Sequence, residues 1–139
     1  MIKIVNKKLV MNKYLLIAGA LLGGLAVVLG AFAAHGLETM LEQDQIDTFE
    51  TGVRYQMYHA FLLIIVGALN MISKKTKKLV LWFTVIGVIL FSGSIYGLAT
   101  NDLTSFNFKS IGFLTPIGGL LFILSWITLL VNFLKIKEE

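Results

Sequence analysis

Asp47, Glu50, Thr51, Arg54, Tyr55, Tyr58 and His59 recur at spacings of three and four, so on a helix they share one polar stripe. The stripe holds the parts of a phosphate-handling site. Arg54 could bind a phosphate, His59 could act as a general base, and Glu50 could orient either. A second polar set, His35, Ser92, Ser94, Tyr96 and Thr115, falls at the same end of neighbouring apolar runs. Because lipid offers polar groups no partners, these residues are expected to face inward and join His59 in one network. Neither set contains a nucleophile, base and acid at local spacing, so no catalytic residue is assigned. Two histidines, scattered carboxylates and no cysteine make no metal site, since zinc takes a full ligand set at recognisable spacing. No cofactor is assigned either: Gly118-Gly119 lacks the preceding strand and following lysine of a phosphate loop.

The elements that must position these residues are apolar helices. With 57% hydrophobic and 14% charged residues in 139, and a mean hydropathy of +0.84, the chain has too little polar material to cover its apolar surface in water. A helix crossing the hydrocarbon core needs about 20 apolar residues. The runs predict an all-α, four-helix transmembrane bundle with spans at about 14–34, 55–73, 79–99 and 115–134. A basic leader (1–13) precedes this 14–134 membrane domain, and a short tail (135–139) follows. The second span is the weakest, because its continuous apolar stretch starts only at Ala60 and contains Asn70.

Charge supports four crossings. Of the twelve basic residues, all but Arg54 and Lys109 fall before the first span, after the fourth, or in the Lys74-Lys75-Thr76-Lys77-Lys78 loop. The loop after the first span instead carries Glu38, Glu42, Asp44, Asp47 and Glu50. The positive-inside bias then puts both termini and the lysine loop in the cytoplasm, and requires the second segment to cross. The basic residues sit at membrane flanks, where they meet anionic headgroups, and form no continuous stripe for nucleic acid. Absent cysteine excludes disulfides and thiol chemistry. Ala31-Phe32-Ala33 imitates a signal-peptide cleavage site, but the apolar run before it is too long, so an uncleaved helix is favoured. Met11 offers an alternative start, which would make residues 1–10 dispensable.

Finer expectations follow from spacing. Asp44 is expected to cap an amphipathic helix over about 44–54 that leads into the second span, with Ile46, Phe49 and Val53 on its apolar side. Glu50 and Arg54 form an i,i+4 pair. Thr115-Pro116 reads as an N-cap followed by proline at the first helical position. Trp82 and Trp126 are expected to pack or to anchor at the interface. Small-residue pairs, Gly19/Gly23, Ala20/Gly24, Ala26/Gly30 and Gly93/Gly97, allow close helix approach, chiefly within the bundle.

Four stretches carry a resemblance: Gly30-Ala31-Phe32-Ala33-Ala34-His35-Gly36-Leu37; the run from Phe49 to Ala60; Phe91-Ser92-Gly93-Ser94-Ile95-Tyr96; and Thr115-Pro116-Ile117-Gly118-Gly119. In this order they resemble domain-of-unknown-function family 423, the small four-helix bacterial membrane proteins, over nearly the whole chain from Met11. Ala33 stands where the family often has glycine. The resemblance implies a cell-membrane location and a four-span fold, and brings no activity, site residue or cofactor.

Three functions remain open on sequence. A non-enzymatic structural or accessory membrane protein fits best, with the lipid bilayer and a second copy or another membrane protein as partners. A small transporter or channel would use His59, Tyr55, Thr51 and His35 to line an outward cavity, against which the cytoplasmic half offers only Asn70, Ser73 and Thr84. A membrane enzyme acting on lipid or cell-wall precursors would use Arg54, His59 and Glu50.

Overall fold

The only proline lies near the start of the last apolar run, so nothing breaks these runs before their flanking loops do. The computed structural model describes residues 2–136, with side chains from Val10 onward. The side chains of Lys3, Lys7, Lys8 and Lys137, used above for orientation, lie outside that range. Among the described residues the chain forms four long helices and no strand. They are α1 (Ile2–Phe32), which closes in a π-helical turn at Ala33–Leu37, α2 (Gln43–Ala68), α3 (Lys74–Ala99) and α4 (Leu114–Leu134). Two short 3₁₀ turns, Asn101–Leu103 and Phe108–Ile111, occupy the loop between α3 and α4. The amphipathic segment and the second span are one unbroken helix. It begins one residue before Asp44, and its N-cap is Glu42, whose N–H donates to Gln45 Oε1 at 3.0 Å. Glu42 thus stands at the N-cap position expected of Asp44, and Gln45 supplies the reciprocal half of a capping box. Pro116 likewise falls inside the first turn of α4, at its third residue, where its missing donor still has no intrahelical partner to lose.

Three segments are long and apolar enough to cross a membrane by length and composition: Val10–Leu37, Lys74–Ala99 and Phe108–Leu134. Helix α2 has the length but carries polar residues through its first half, and its place in the bundle compensates. It packs between α1 and α3, while α4 packs mainly along α3 and reaches α2 through Phe122, which stacks on His59. A core of Leu15, Leu62, Leu63, Val66, Ile72, Val80 and Leu129 fills the lysine-loop end, and a smaller one of Ala33, Leu37, Phe49 and Ala99 fills the other. Large apolar side chains, Trp82 and Trp126 among them, face outward, as lipid-facing surfaces do.

Two glycines set the interhelical spacing. A Cβ on Gly19 would sit 2.8 Å from the Ala60 carbonyl oxygen, and one on Gly118 would fall on the Phe91 backbone. Here α1 meets α2, and α4 meets α3, with no room for a side chain. Gly23 and Gly30 also face α2, near Ala60 and Val53. Gly24 and Gly93 instead have open space around them, so the small-residue pairs divide between internal and outward faces.

Gly118→Val is expected to destabilise the bundle by about 1–3 kcal/mol, the usual cost of overpacking, while Gly24→Val leaves it unchanged. Unfolding in detergent measures both. Equal tolerance at the two positions would contradict the packing described.

Candidate functional site

Depth along the helices sorts the polar residues first. Ala60 of α2 packs against Gly19 and Gly23 of α1, so neighbouring His59 is level with that part of α1. His35 lies 12 residues beyond Gly23, about 18 Å along a helix, in the exposed π-helical turn. The two histidines therefore do not share a depth or a network. His59 stands near the middle of the bundle, about 14 Å from the end of α2 at Ala68, because the first turns of α2 already belong to the bundle.

The remaining polar residues form several short braces instead of one network. Tyr96 donates its hydroxyl to Gln56 Oε1 at 2.9 Å, and Gln56 Nε2 donates to the Leu22 carbonyl at 2.9 Å, tying α3, α2 and α1 together. Ser92 donates to the Gly52 carbonyl at 2.8 Å, where Tyr96 and Ile95 close over the missing side chain of Gly52. Ser94 and Thr115 share a hydrogen bond at 2.6 Å that joins α3 to α4. Nearer the lysine loop, Thr84 and Ser125 pair at 2.9 Å, both fully buried. The sequence reading assigned no role to Gln56 or Ser125. Gln56 occupies the apolar side of α2, in register with Phe49, Val53 and Ala60, and that misplaced polarity was the available signal.

The outward stripe of α2 stays apart from these braces. Arg54, Tyr55 and Tyr58 are exposed. Arg54 Nη2 donates to Thr51 Oγ1 at 3.0 Å, and Thr51 donates to the Asp47 carbonyl. The Glu50–Arg54 pair does not form: the one side-chain bond Arg54 makes among the described residues is to Thr51. Glu50 lines a shallow recess with Ala34, Glu38 and Gln43. The stripe expected to hold Arg54, Glu50 and His59 together is thus divided: His59 turns inward and is 4% exposed, while Arg54 stays outside.

His59 is held by rings. Its Nδ1 lies 2.8 Å from the Tyr55 carbonyl, which can only accept, so Nδ1 carries the hydrogen. The other ring nitrogen, Nε2, is buried with no partner among the described residues. The imidazole stacks on Phe122 with centroids 3.6 Å apart and planes 14° apart. Phe91 and Tyr55 complete the aromatic pile.

The lysine cluster, expected as a loop before a span from 79, instead forms the start of α3, and it holds a second surprise. Lys77 is fully buried, although all four lysines were read as flanking signals. Its Nζ donates to Asn12 Oδ1 at 2.7 Å and to the Gly67 carbonyl at 3.3 Å. Gly67 lies in the last turn of α2, whose carbonyls lack intrahelical donors and carry the negative end of the helix dipole, so an ammonium is well placed there. Asn132 of α4 braces the same end, accepting from Ser73 N–H and Thr76 Oγ1, each at 3.0 Å. No group of three or more histidines, cysteines or carboxylates among the described residues could hold a metal ion.

Comparison with known proteins finds a family of unknown function and relatives named membrane proteins. The profile of a family described as "Protein of unknown function (DUF423)" matches residues 29–119, which run from just before the first signature stretch to the end of the fourth. A UPF0382 membrane protein of Staphylococcus haemolyticus is 40% identical over 123 residues, 88% of this chain and 97% of its own. One from Haemophilus influenzae is 41% identical over 127 residues, 91% of this chain and 98% of its own. The UPF0382 membrane protein YwdK of Bacillus subtilis is 38% identical over 125 residues, 88% and 98% respectively. No solved structure matches.

The contrast between Gln56 and His59 is testable. Gln56→Leu removes two interhelical bonds and is expected to cost about 1 kcal/mol. His59→Phe keeps the stack on Phe122 and removes an unpaired buried nitrogen, so stability should hold or rise. Parallel denaturation of both variants in detergent checks this. A larger loss at His59 than at Gln56 would mean that the imidazole binds helices together.

Proposed function

The chain belongs to the DUF423 family, its relatives bear the name membrane protein, and we propose that it is a non-enzymatic accessory protein of the cell membrane. It would act by assembling with a second copy or with another membrane protein. The observation that carries this reading is the pairing of interior polar groups: Gln56, Tyr96, Ser92, Ser94, Thr115, Thr84 and Ser125 are all engaged in hydrogen bonds within the bundle. Side chains so occupied brace helices and leave no row of free polar groups from one end to the other. The outward Ala20 and Gly24 on α1 supply a small-residue face to which another helix could come close. In this reading both termini and the lysine loop are cytoplasmic, and the acidic loop before α2 is outside.

A second reading has one observation in its favour. The unpartnered Nε2 of His59, buried within the bundle, is what a small transporter opening outward would place on its path. The Tyr55, Phe91 and Phe122 rings would have to part to admit a solute.

The natural sequence has no cysteine, so single cysteines report contacts cleanly. Gly24→Cys is expected to form an oxidised cross-link to a second helix in native membranes, and Ile89→Cys, also outward on α3, is not. Equal cross-linking at both positions, or none at position 24, would remove assembly with a second copy through this face.

A further inference from the structure

At the lysine-loop end a groove of about 630 Å³ opens between the start of α3 and the end of α4. Its character changes along its length. Lys75 and Lys135 stand at the ends of the two helices, while Leu79, Ile127 and Val131 line it one or two turns further into the bundle. A cationic rim over apolar walls, placed where two membrane helices end, matches one kind of molecule: a phosphate carrying acyl chains.

A hydrogen-bond relay sharpens the rim. Ser73 Oγ donates to Thr76 Oγ1 at 2.9 Å, and Thr76 Oγ1 donates to Asn132 Oδ1 at 3.0 Å. The Ser73 N–H also donates to Asn132 Oδ1, at 3.0 Å. Both hydroxyl hydrogens and the carboxamide oxygen are thereby occupied. The unused group of the relay is the Asn132 amide nitrogen, a donor without a partner among the described residues, on a residue that lines the groove. Neither Lys75 nor Lys135 pairs with a carboxylate among the described residues, whereas Lys77, the buried lysine of the same loop, serves Asn12 and Gly67.

We propose that this groove is a binding site for an anionic glycerophospholipid, with the phosphate held by Lys75, Lys135 and the Asn132 amide and one acyl chain lying along Leu79, Ile127 and Val131. The site is independent of which functional reading holds. It asks only that the lysine-loop end lie at a membrane surface, where anionic lipid concentrates cations of this kind.

The test uses the full chain in detergent with equimolar phosphatidylglycerol and phosphatidylcholine, and native mass spectrometry to count retained lipid. The unaltered chain should prefer phosphatidylglycerol. The double variant Lys75→Gln/Lys135→Gln should lose roughly tenfold or more of that preference. Lys74→Gln/Lys78→Gln removes equal charge from exposed positions of the same loop that do not line the groove, and should retain the preference. Val131→Trp, which fills the wall at unchanged charge, should lower it as well. An equal loss in both glutamine pairs would mean diffuse attraction without a site. Indifference to Val131→Trp would remove the groove as its location, and displacement of the lipid by inorganic phosphate would identify a free anion as the occupant. Absence of any preference in the unaltered chain would overturn the proposal outright.

Discussion

A hydrocarbon medium offers no hydrogen bonds, so a polar helix can cross it only where its neighbours provide them. Helix α2 is where this constraint binds. Gln56 and His59 lie in its buried side, and the turns before them carry charge. Placing α2 between α1 and α3 answers the demand, because Leu22 and Tyr96 then reach Gln56 from both sides. The close approach at Gly19, the missing side chain at Gly52 beneath Tyr96, and the Ser92 bond to the Gly52 carbonyl all serve the same placement. Each interhelical bond in a membrane contributes only about 0.6 kcal/mol on average, so the braces matter as a set and through the positions they exclude.

The two ends of α2 are secured by different chemistry. Its start is closed by the Gln45 side chain and tied across to the α3–α4 loop, where Gln45 Nε2 donates to Asp102 Oδ2 at 2.9 Å. Its end receives the Lys77 ammonium, which also reaches Asn12 of α1. A lysine loop that reads as a topological signal therefore contains one member that fastens helices. The others remain at the surface, where Lys75 helps form the rim of the groove beside α4.

Much of the architecture was legible because apolar run length reports directly on membrane crossing. The three strongest runs and the continuous amphipathic start of α2 emerged from composition and period alone. The candidate site was legible only in part. Ser94 and Thr115 do meet, and Ser92 and Tyr96 do turn inward, as burial in lipid demands. His35 and His59 were assigned one depth because the apolar stretch of the second span starts at Ala60, whereas the bundle accommodates α2 from well before that residue. The missed residues share a cause. Gln56, Ser125, Asn132 and Lys77 make their bonds to groups distant in the chain, and no local period encodes such partners. Glu50 and Arg54 failed in the opposite way, since correct spacing on a helix does not by itself bring two side chains together.

The account stands on α2 crossing the bilayer despite its polarity, and its two ends offer the most direct measurement. Single cysteines at Gln43, the first residue of α2, and at Lys75, just after its end, can be labelled in intact cells with a membrane-impermeant thiol reagent. The account predicts that Gln43→Cys labels from outside and that Lys75→Cys labels only after the membrane is permeabilised. Labelling of both positions from the same side would place α2 along the membrane surface and contradict the bundle described here.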